Sequence, residues 1–392
     1  MYSILAYISP MKRWLLVPAI VLFSTSAFAQ IDSIQTEIGK AKADTNKVNL
    51  YIKAFGLTKN SAPEKAEGFA KQAIALGEKL NFKNGLMNIY RDYGSFLDIQ
   101  GTYDESQVHL DKGMAIAVKL KDKSRMGSFS IAMGILQYDQ GKFTEALKLI
   151  LQSLKYREEA NDVKGIADSY IWLGVINEKG LNKNEEALKY YRGALGTYRK
   201  AGMEDRMAYA YNNIGNVYYN TNKFDSSLHY YMKSLDIKKK NPDPFQLGSA
   251  YNNIANVYTD LRDYTQALKY YDTALSYKEQ SEDYAGIATH YINVGLVYSH
   301  MKNYPQAEKM ILKGLELSKK NNFPGIILPA YEALSQIAAA QGDYKKAYEY
   351  NAEFAKRKDS AFNKDVAQQM ADMQTKYDTE KKDLEISKKT LE

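Results

Sequence analysis

Asn212, Asn213 and Asn216 recur forty residues later as Asn252, Asn253 and Asn256, and Asn293 continues the middle position once more. A carboxamide offers two N–H donors and one oxygen acceptor. Such a group can pair with a peptide N–H and C=O together, so a row of them would hold an extended backbone without choosing its sequence. At about 1 kcal/mol net per hydrogen bond, four or five bonds plus some apolar burial would give binding in the micromolar range. The corresponding places earlier in the chain read Arg91, Asp92 and Ser95, then Ile131, Ala132 and Ile135, then Ile171, Trp172 and Val175. Arg91 would add a cation, and the apolar places would accept side chains. Trp172 suits a groove and a core equally. Recurrence of Asn213, Asn253 and Asn293 fits a repeat-to-repeat hydrogen bond as well as a ligand contact. Asn212, Asn216, Asn252 and Asn256 are therefore the stronger ligand candidates.

Nothing else in the chain has the spacing of a catalytic or metal-binding constellation. There is no Cys and there are only four His, which removes disulfides, thiolate ligands and Cys nucleophiles. No glycine-rich phosphate loop or H-E-x-x-H occurs. Gly193 and Gly196 make no nucleotide fingerprint, because no strand pattern precedes them. The expectation is a protein that is not an enzyme and needs no cofactor or metal. With 53 basic and 46 acidic residues the net charge is only +7, and no run of five Lys/Arg occurs. Nucleic acid is not an expected partner. A hydrophobic fraction of 45% and a charged fraction of 25% exclude both a mostly disordered chain and a multi-span membrane protein.

The asparagines belong to a larger period. Small residues stand at Ala54, Gly94, Gly134, Gly174, Gly215, Ala255, Gly295 and Ser335, forty apart except for one step of forty-one. Twelve residues after most of them comes a second small residue: Ala66, Ser106, Ala146, Ser227, Ala267, Ala307 and Ala347, with Ala187 displaced by one. One residue is thus inserted near 179–184. Aromatic residues precede the second set by three at Tyr103, Phe143, Phe224, Tyr264, Tyr304 and Tyr344. Within a unit, Tyr211, Ile214, Val217 and Tyr218 have helical spacing, Asn220 to Lys223 is turn chemistry, and Leu228, Tyr231 and Leu235 resume the helix. Each unit reads as two antiparallel helices. Their small residues permit a close crossing, and stacking of units supplies the core. Tyr190-Tyr191, Tyr230-Tyr231 and Tyr270-Tyr271 read as core packing. Pro242 and Pro244, then Pro324 and Pro329, read as longer joints.

Ile214-Gly215 with Tyr218, Ile254-Ala255 with Tyr258 and Val294-Gly295 with Tyr298, followed by Ala187 with Tyr191, Ser227 with Tyr231 and Ala267 with Tyr271, resemble the tetratricopeptide repeat. The period of forty and the missing closing proline match the long-period branch of that family. The resemblance implies an all-α, right-handed superhelical solenoid of about eight helix pairs over 47–360, after a lead-in over 30–46. It implies that the first helix of each pair lines the inner groove, and that asparagines there hold a peptide or protein segment.

Both ends point beyond the array. Lys12 and Arg13, the apolar stretch Trp14 to Phe23 and Ala27-Phe28-Ala29 have the order of a secretory signal over 1–29, with Met11 as an alternative start. The mature protein is expected to be exported and periplasmic. Over 361–392, Val366, Met370, Met373, Tyr377, Leu384 and Leu391 form a broken heptad seam. It reads as a long C-terminal helix or a coiled coil that could join two copies. Gln374 to Lys382 resembles the connector of exported tetratricopeptide sensors, which precedes a membrane helix and a histidine kinase or helix-turn-helix domain. The leading functional expectation is the sensor or scaffold part of a signalling system, with a membrane-bound signalling partner or a further downstream domain. The front part of a membrane sensor kinase or regulator, and an envelope assembly scaffold without a discrete ligand, stay open beside it.

Overall fold

The computed structural model describes residues 31–59 and 62–357. The signal over 1–29 and the seam over 361–392 lie outside the described residues. A helix α1 covers 31–40. Helix pairs follow: α2 (Thr45–Thr58) with α3 (Pro63–Lys79), α4 (Lys83–Ile99) with α5 (Tyr103–Lys119), α6 (Lys123–Asp139) with α7 (Phe143–Glu159), and α8 (Val163–Val175) with α9 (Asn184–Lys200). These lie in one compact unit that ends at Met203. A second unit from Glu204 holds α10 (Glu204–Asn220) with α11 (Phe224–Lys240), α12 (Pro244–Asp260) with α13 (Tyr264–Gln280), α14 (Tyr284–His300) with α15 (Tyr304–Lys320), and α16 (Pro324–Ala340) with a helix α17 over 344–357. No strand occurs among the described residues. Within each unit successive helices pack on one another, the arrangement of a solenoid of helix pairs.

The forty-residue period has a simple construction. Regular helices of 17 residues alternate with three-residue turns, so two helices and two turns complete a repeat. Nearly every turn places one residue in the left-handed region: Gly101, Gly141, Gly202 and Gly342, but also Asn81, Asn161, Asn182, Asn222 and Asn322. Gly adopts that region without a Cβ clash, and Asn tolerates it better than most residues. The last turn residue then bonds back to the helix it leaves, as in Thr102 N–H to Leu97 O at 2.9 Å and Asn303 N–H to Tyr298 O at 2.9 Å. That closes otherwise orphaned carbonyls. Asp122, Asp162, Asp243 and Asp283 cap the next helix by accepting a backbone N–H three residues on.

The inserted residue is taken up by a π-helical turn, Ile176–Gly180, which continues α8. A π turn admits one extra residue while keeping the backbone paired, here with Leu181 N–H to Ile176 O at 2.9 Å. The longer joints expected at the prolines are absent. Residues 241–243 and 321–323 are three residues long, as the other turns are, although 241–243 has no residue in the left-handed region. Pro244 and Pro324 occupy the first helical position, where the missing N–H costs nothing. Pro329 lies inside α16.

The small residues meet as the spacing requires. A Cβ on Gly215 would stand 2.6 Å from the Tyr231 ring, and one on Gly295 would stand 2.4 Å from Ile311 and 2.9 Å from the Ala307 carbonyl. Gly94, Gly134 and Gly174 face Leu110, Ile150 and Tyr191 in the same way. Ala146, Ala187, Ala255, Ala267 and Ala307 are fully buried, and Ala347 nearly so. Where the second small residue is Ser, its hydroxyl ties the pair together: Ser106 donates to Gly94 O at 2.8 Å and Ser227 to Gly215 O at 2.9 Å. The aromatic at the start of the second helix closes the end of the pair, as Phe143 does against Tyr138 at 5.4 Å between ring centroids.

Candidate functional site

On α10, Tyr209, Asn212 and Asn216 follow at steps of three and four. On α12, Phe245, Ser249, Asn252 and Asn256 do the same. Such steps put each set on one helical face. The asparagines are half-buried, while Tyr209 and Phe245 keep 46% and 56% of their surface exposed. Every hydrogen bond these amides make inside the chain uses one atom type at four of the residues. Tyr231 Oη donates to Asn216 Oδ1 at 2.7 Å, and Tyr271 Oη donates to Asn256 Oδ1 at 2.6 Å. Lys278 Nζ donates to Asn252 Oδ1 at 2.9 Å. Asn253 Nδ2 donates to Asn212 Oδ1 at 3.1 Å, joining α10 to α12.

The donors are fixed by their surroundings. Lys278 on α13 is 4% exposed and also donates to the Gly286 carbonyl of α14 at 3.1 Å. An ammonium cannot accept a hydrogen bond, so it orients the Asn252 amide unambiguously. Burial lowers the Lys278 pKa to about 8, partly opposed by Asp283. Burial pushes the Tyr271 hydroxyl up to about 12, which keeps it a donor. Beside them His290, 3% exposed, is driven down to about 4 by burial and by the charges of Lys278 and Lys313. Its imidazole is therefore neutral near pH 7.

The outcome is a row of donors. The amide nitrogens of Asn212, Asn216, Asn252 and Asn256 have no partner within the described chain, and none is sealed from solvent. Each of these four oxygens already accepts one hydrogen bond from inside the chain, which fixes the orientation of its amide and leaves its nitrogen turned to solvent. The recurring column does not form a continuous ladder: Asn253 makes a rung, but Asn213 and Asn293 form no side-chain hydrogen bond among the described residues.

Arg91 and Trp172 lie in the first unit. Arg91 is spent on its neighbour, with Nε and Nη2 at 2.9 and 2.7 Å from Asp92 Oδ1. Trp172 packs half-buried against the Ala146, Ile150, Leu173 and Ile176 cluster, which is a core role. Tyr191, Tyr231 and Tyr271 are buried as the sequence suggests. Their hydroxyls have a second use, since Tyr191 reaches Glu178 Oε2 at 2.8 Å. Sequence reasoning missed Lys278, Tyr209 and Phe245. A signal existed for Lys278: a basic residue stands at the same repeat position in Arg157 and Lys238. The first unit also holds Asp98, 7% exposed with Oδ1 unpartnered; burial, followed by the charge of Asp139, raises its pKa to about 6.

A tetratricopeptide-repeat family model matches residues 165–240 and 246–320, which include all of α9, α10, α11, α13, α14 and α15 and most of α8 and α12. Those residues carry tetratricopeptide repeats. Among solved structures, the repeats are similar to the apo form of the quorum sensor NprR from B. thuringiensis, at 15% identity and TM-score 0.60, covering 88% of this chain and 97% of that one. They are similar to a Rap protein complexed with competence and sporulation factor, at 12% identity and TM-score 0.60, covering 89% and 96%. Aspartyl phosphate phosphatase F from Bacillus subtilis gives 13% identity and TM-score 0.59, covering 91% and 96%. At these identities the likeness is one of fold, and no activity passes through it. A comparison with curated proteins gives no match.

Proposed function

We propose that the protein is a non-catalytic binding array that holds an extended peptide or protein segment along the first-helix faces of α10 and α12. The observation that carries this reading is the set of four solvent-facing amide donors on adjacent repeats, flanked by exposed Tyr209 and Phe245. Buried structural amides would have satisfied both of their polar atoms. Similarity in fold to a quorum sensor and to a Rap protein solved with a signalling factor supports the same reading.

The decisive test keeps the fold and removes the donors. Changing Asn212, Asn216, Asn252 and Asn256 to Asp leaves every internal acceptor oxygen in place. A random dodecapeptide phage library panned on the wild-type chain is expected to yield binders of micromolar Kd. The fourfold variant should bind them at least about tenfold more weakly, the equivalent of losing one or two good hydrogen bonds, with an unchanged melting curve. Equal binding by both proteins would sink the proposal.

We place this activity outside the cytoplasm, as the sensor or scaffold part of a signalling system, on the strength of the leader pattern and the tail seam. The mature chain is expected to begin at Gln30 in a periplasmic fraction. N-terminal sequencing that finds Met1 or Met11 on a cytosolic species would refute export.

A further inference from the structure

In the unit from Glu204, second helices are covered by the first helix of the following repeat. Leu228 and Leu235 of α11 share a core with Leu247, Tyr251 and Ile254 of α12. Ile311 and Leu315 of α15 share one with Ile327, Tyr331 and Ile337 of α16. The second helix α17 breaks the rule. Its Tyr344 and Tyr348 are 74% and 76% exposed. Tyr304 and Glu308, at the same places one repeat earlier, are half-buried, and so are Tyr264 and Leu268 two repeats earlier. A repeat buries this face only by stacking, so α17 presents an open docking surface.

The sequence supplies a helix in the right frame to cover it. α16 runs over Pro324–Ala340. The stretch forty residues further on, 364–380, lies outside the described residues. Where α16 buries Ile327, Ala330, Tyr331, Leu334 and Ile337, that stretch carries Ala367, Met370, Ala371, Gln374 and Tyr377. Four of the five are apolar, and Thr375 falls at the place of Ser335 in the column of small residues.

We infer that 364–380 docks on α17 as a closing first helix and covers Tyr344 and Tyr348. Asp378 fits that role. It falls where Tyr218 and Tyr258 stack on their own second helices, against Tyr230 and Tyr270. A helix that closes the stack leaves this place in water, and a carboxylate suits water. The occupant is the chain's own segment because it is tethered a few residues beyond Arg357. A short tether holds it at an effective concentration of about millimolar, which a second copy in micromolar solution does not match. Met370 and Tyr377 also belong to the heptad seam, so docking withdraws that seam from pairing with a second copy. The inference stands on the end of the array and is independent of the groove.

The chain has no Cys, so an engineered pair reports the contact directly. Leu228 and Tyr251 share a core, and their equivalents three repeats on are Tyr348 and Ala371. The Tyr348→Cys, Ala371→Cys chain should close an intramolecular disulfide in a glutathione buffer. A control chain, Tyr348→Cys with Gln369→Cys, places its second thiol at the position of exposed Pro329 and should close at least about tenfold less readily. Hydrogen exchange on the cysteine-free parent should show protected amides over 364–380, independent of protein concentration. Tyr348→Asp, a change at an exposed position, should remove that protection and leave α16 protected. Equal closure of the two cysteine pairs, or an unprotected 364–380 in the parent, overturns the inference. Disulfide-linked dimers, or protection that grows with concentration, overturn it in favour of a second copy on this face.

Discussion

Lys278 holds a hydrogen-bonded charge in a place that water does not reach, and its energetics follow from that. Its folded pKa near 8 lies below the ordinary 10.5, a difference of about 3 kcal/mol against the charged form. Between those values the unfolded chain binds more protons than the folded one, so stability rises with pH from about 8 to 10.5. Chemical denaturation of Lys278→Met across that window should show a flat profile where the parent climbs. His290 acts in the same direction lower down, adding stability as pH rises from about 4 to 6.5. Asp98 has the opposite sign. Its folded pKa near 6 exceeds the ordinary 3.8, so its contribution is complete below 3.8 and is lost as pH rises to about 6. Asp98→Asn should therefore be more stable than the parent at pH 7 and lose that advantage by pH 4. A parent-like profile in urea titrations would show that Asp98 is solvated. Among the small residues, Gly215→Leu drives a side chain into the Tyr231 ring and should cost about 2–3 kcal/mol, read from the same titrations.

Turns and helices set the next scale. The left-handed turn residue is Arg262 between α12 and α13 and Lys302 between α14 and α15, both with φ of 61°. A side chain in that region costs roughly 1 kcal/mol or more. Arg262→Gly and Lys302→Gly should each raise the melting midpoint by a few degrees, and Gly342→Ala, at φ 81°, should lower it. Calorimetry of the three variants checks both signs. The helix pairs themselves were plain in the sequence, because small residues, aromatic starts and turn residues all repeat in phase, and independent signals at one period leave few alternatives. The proline joints were misread for a physical reason. Proline suits a loop and the first turn of a helix equally, and only the capping carboxylate of Asp243, bonded to Gln246 N–H at 2.8 Å, separates the two. The insertion was located correctly, but its form as a π turn depends on how Asn177 and Glu178 are buried, which spacing does not report.

Across the whole molecule, the positions of the asparagines were legible and their polarity was not. Which end of an amide faces inward is decided by partners far along the chain: Tyr231 stands fifteen residues from Asn216, and Lys278 twenty-six from Asn252. Those contacts exist only once helices are stacked. Arg91 looked available for a different reason: its partner is the adjacent Asp92, and the sequence does not show that the two side chains turn toward each other. A final consequence belongs to the uniform turns. Because 224–263 begins and ends at equivalent points of the repeat, excising it or copying it joins one helix start to another without a new loop. Unequal recombination between the stretches of gene that encode the two asparagine-rich repeats would therefore yield viable descendants of different length. Selection could then adjust the grip on a long partner by copy number, as stability in such arrays adjusts repeat by repeat, before it altered a single side chain.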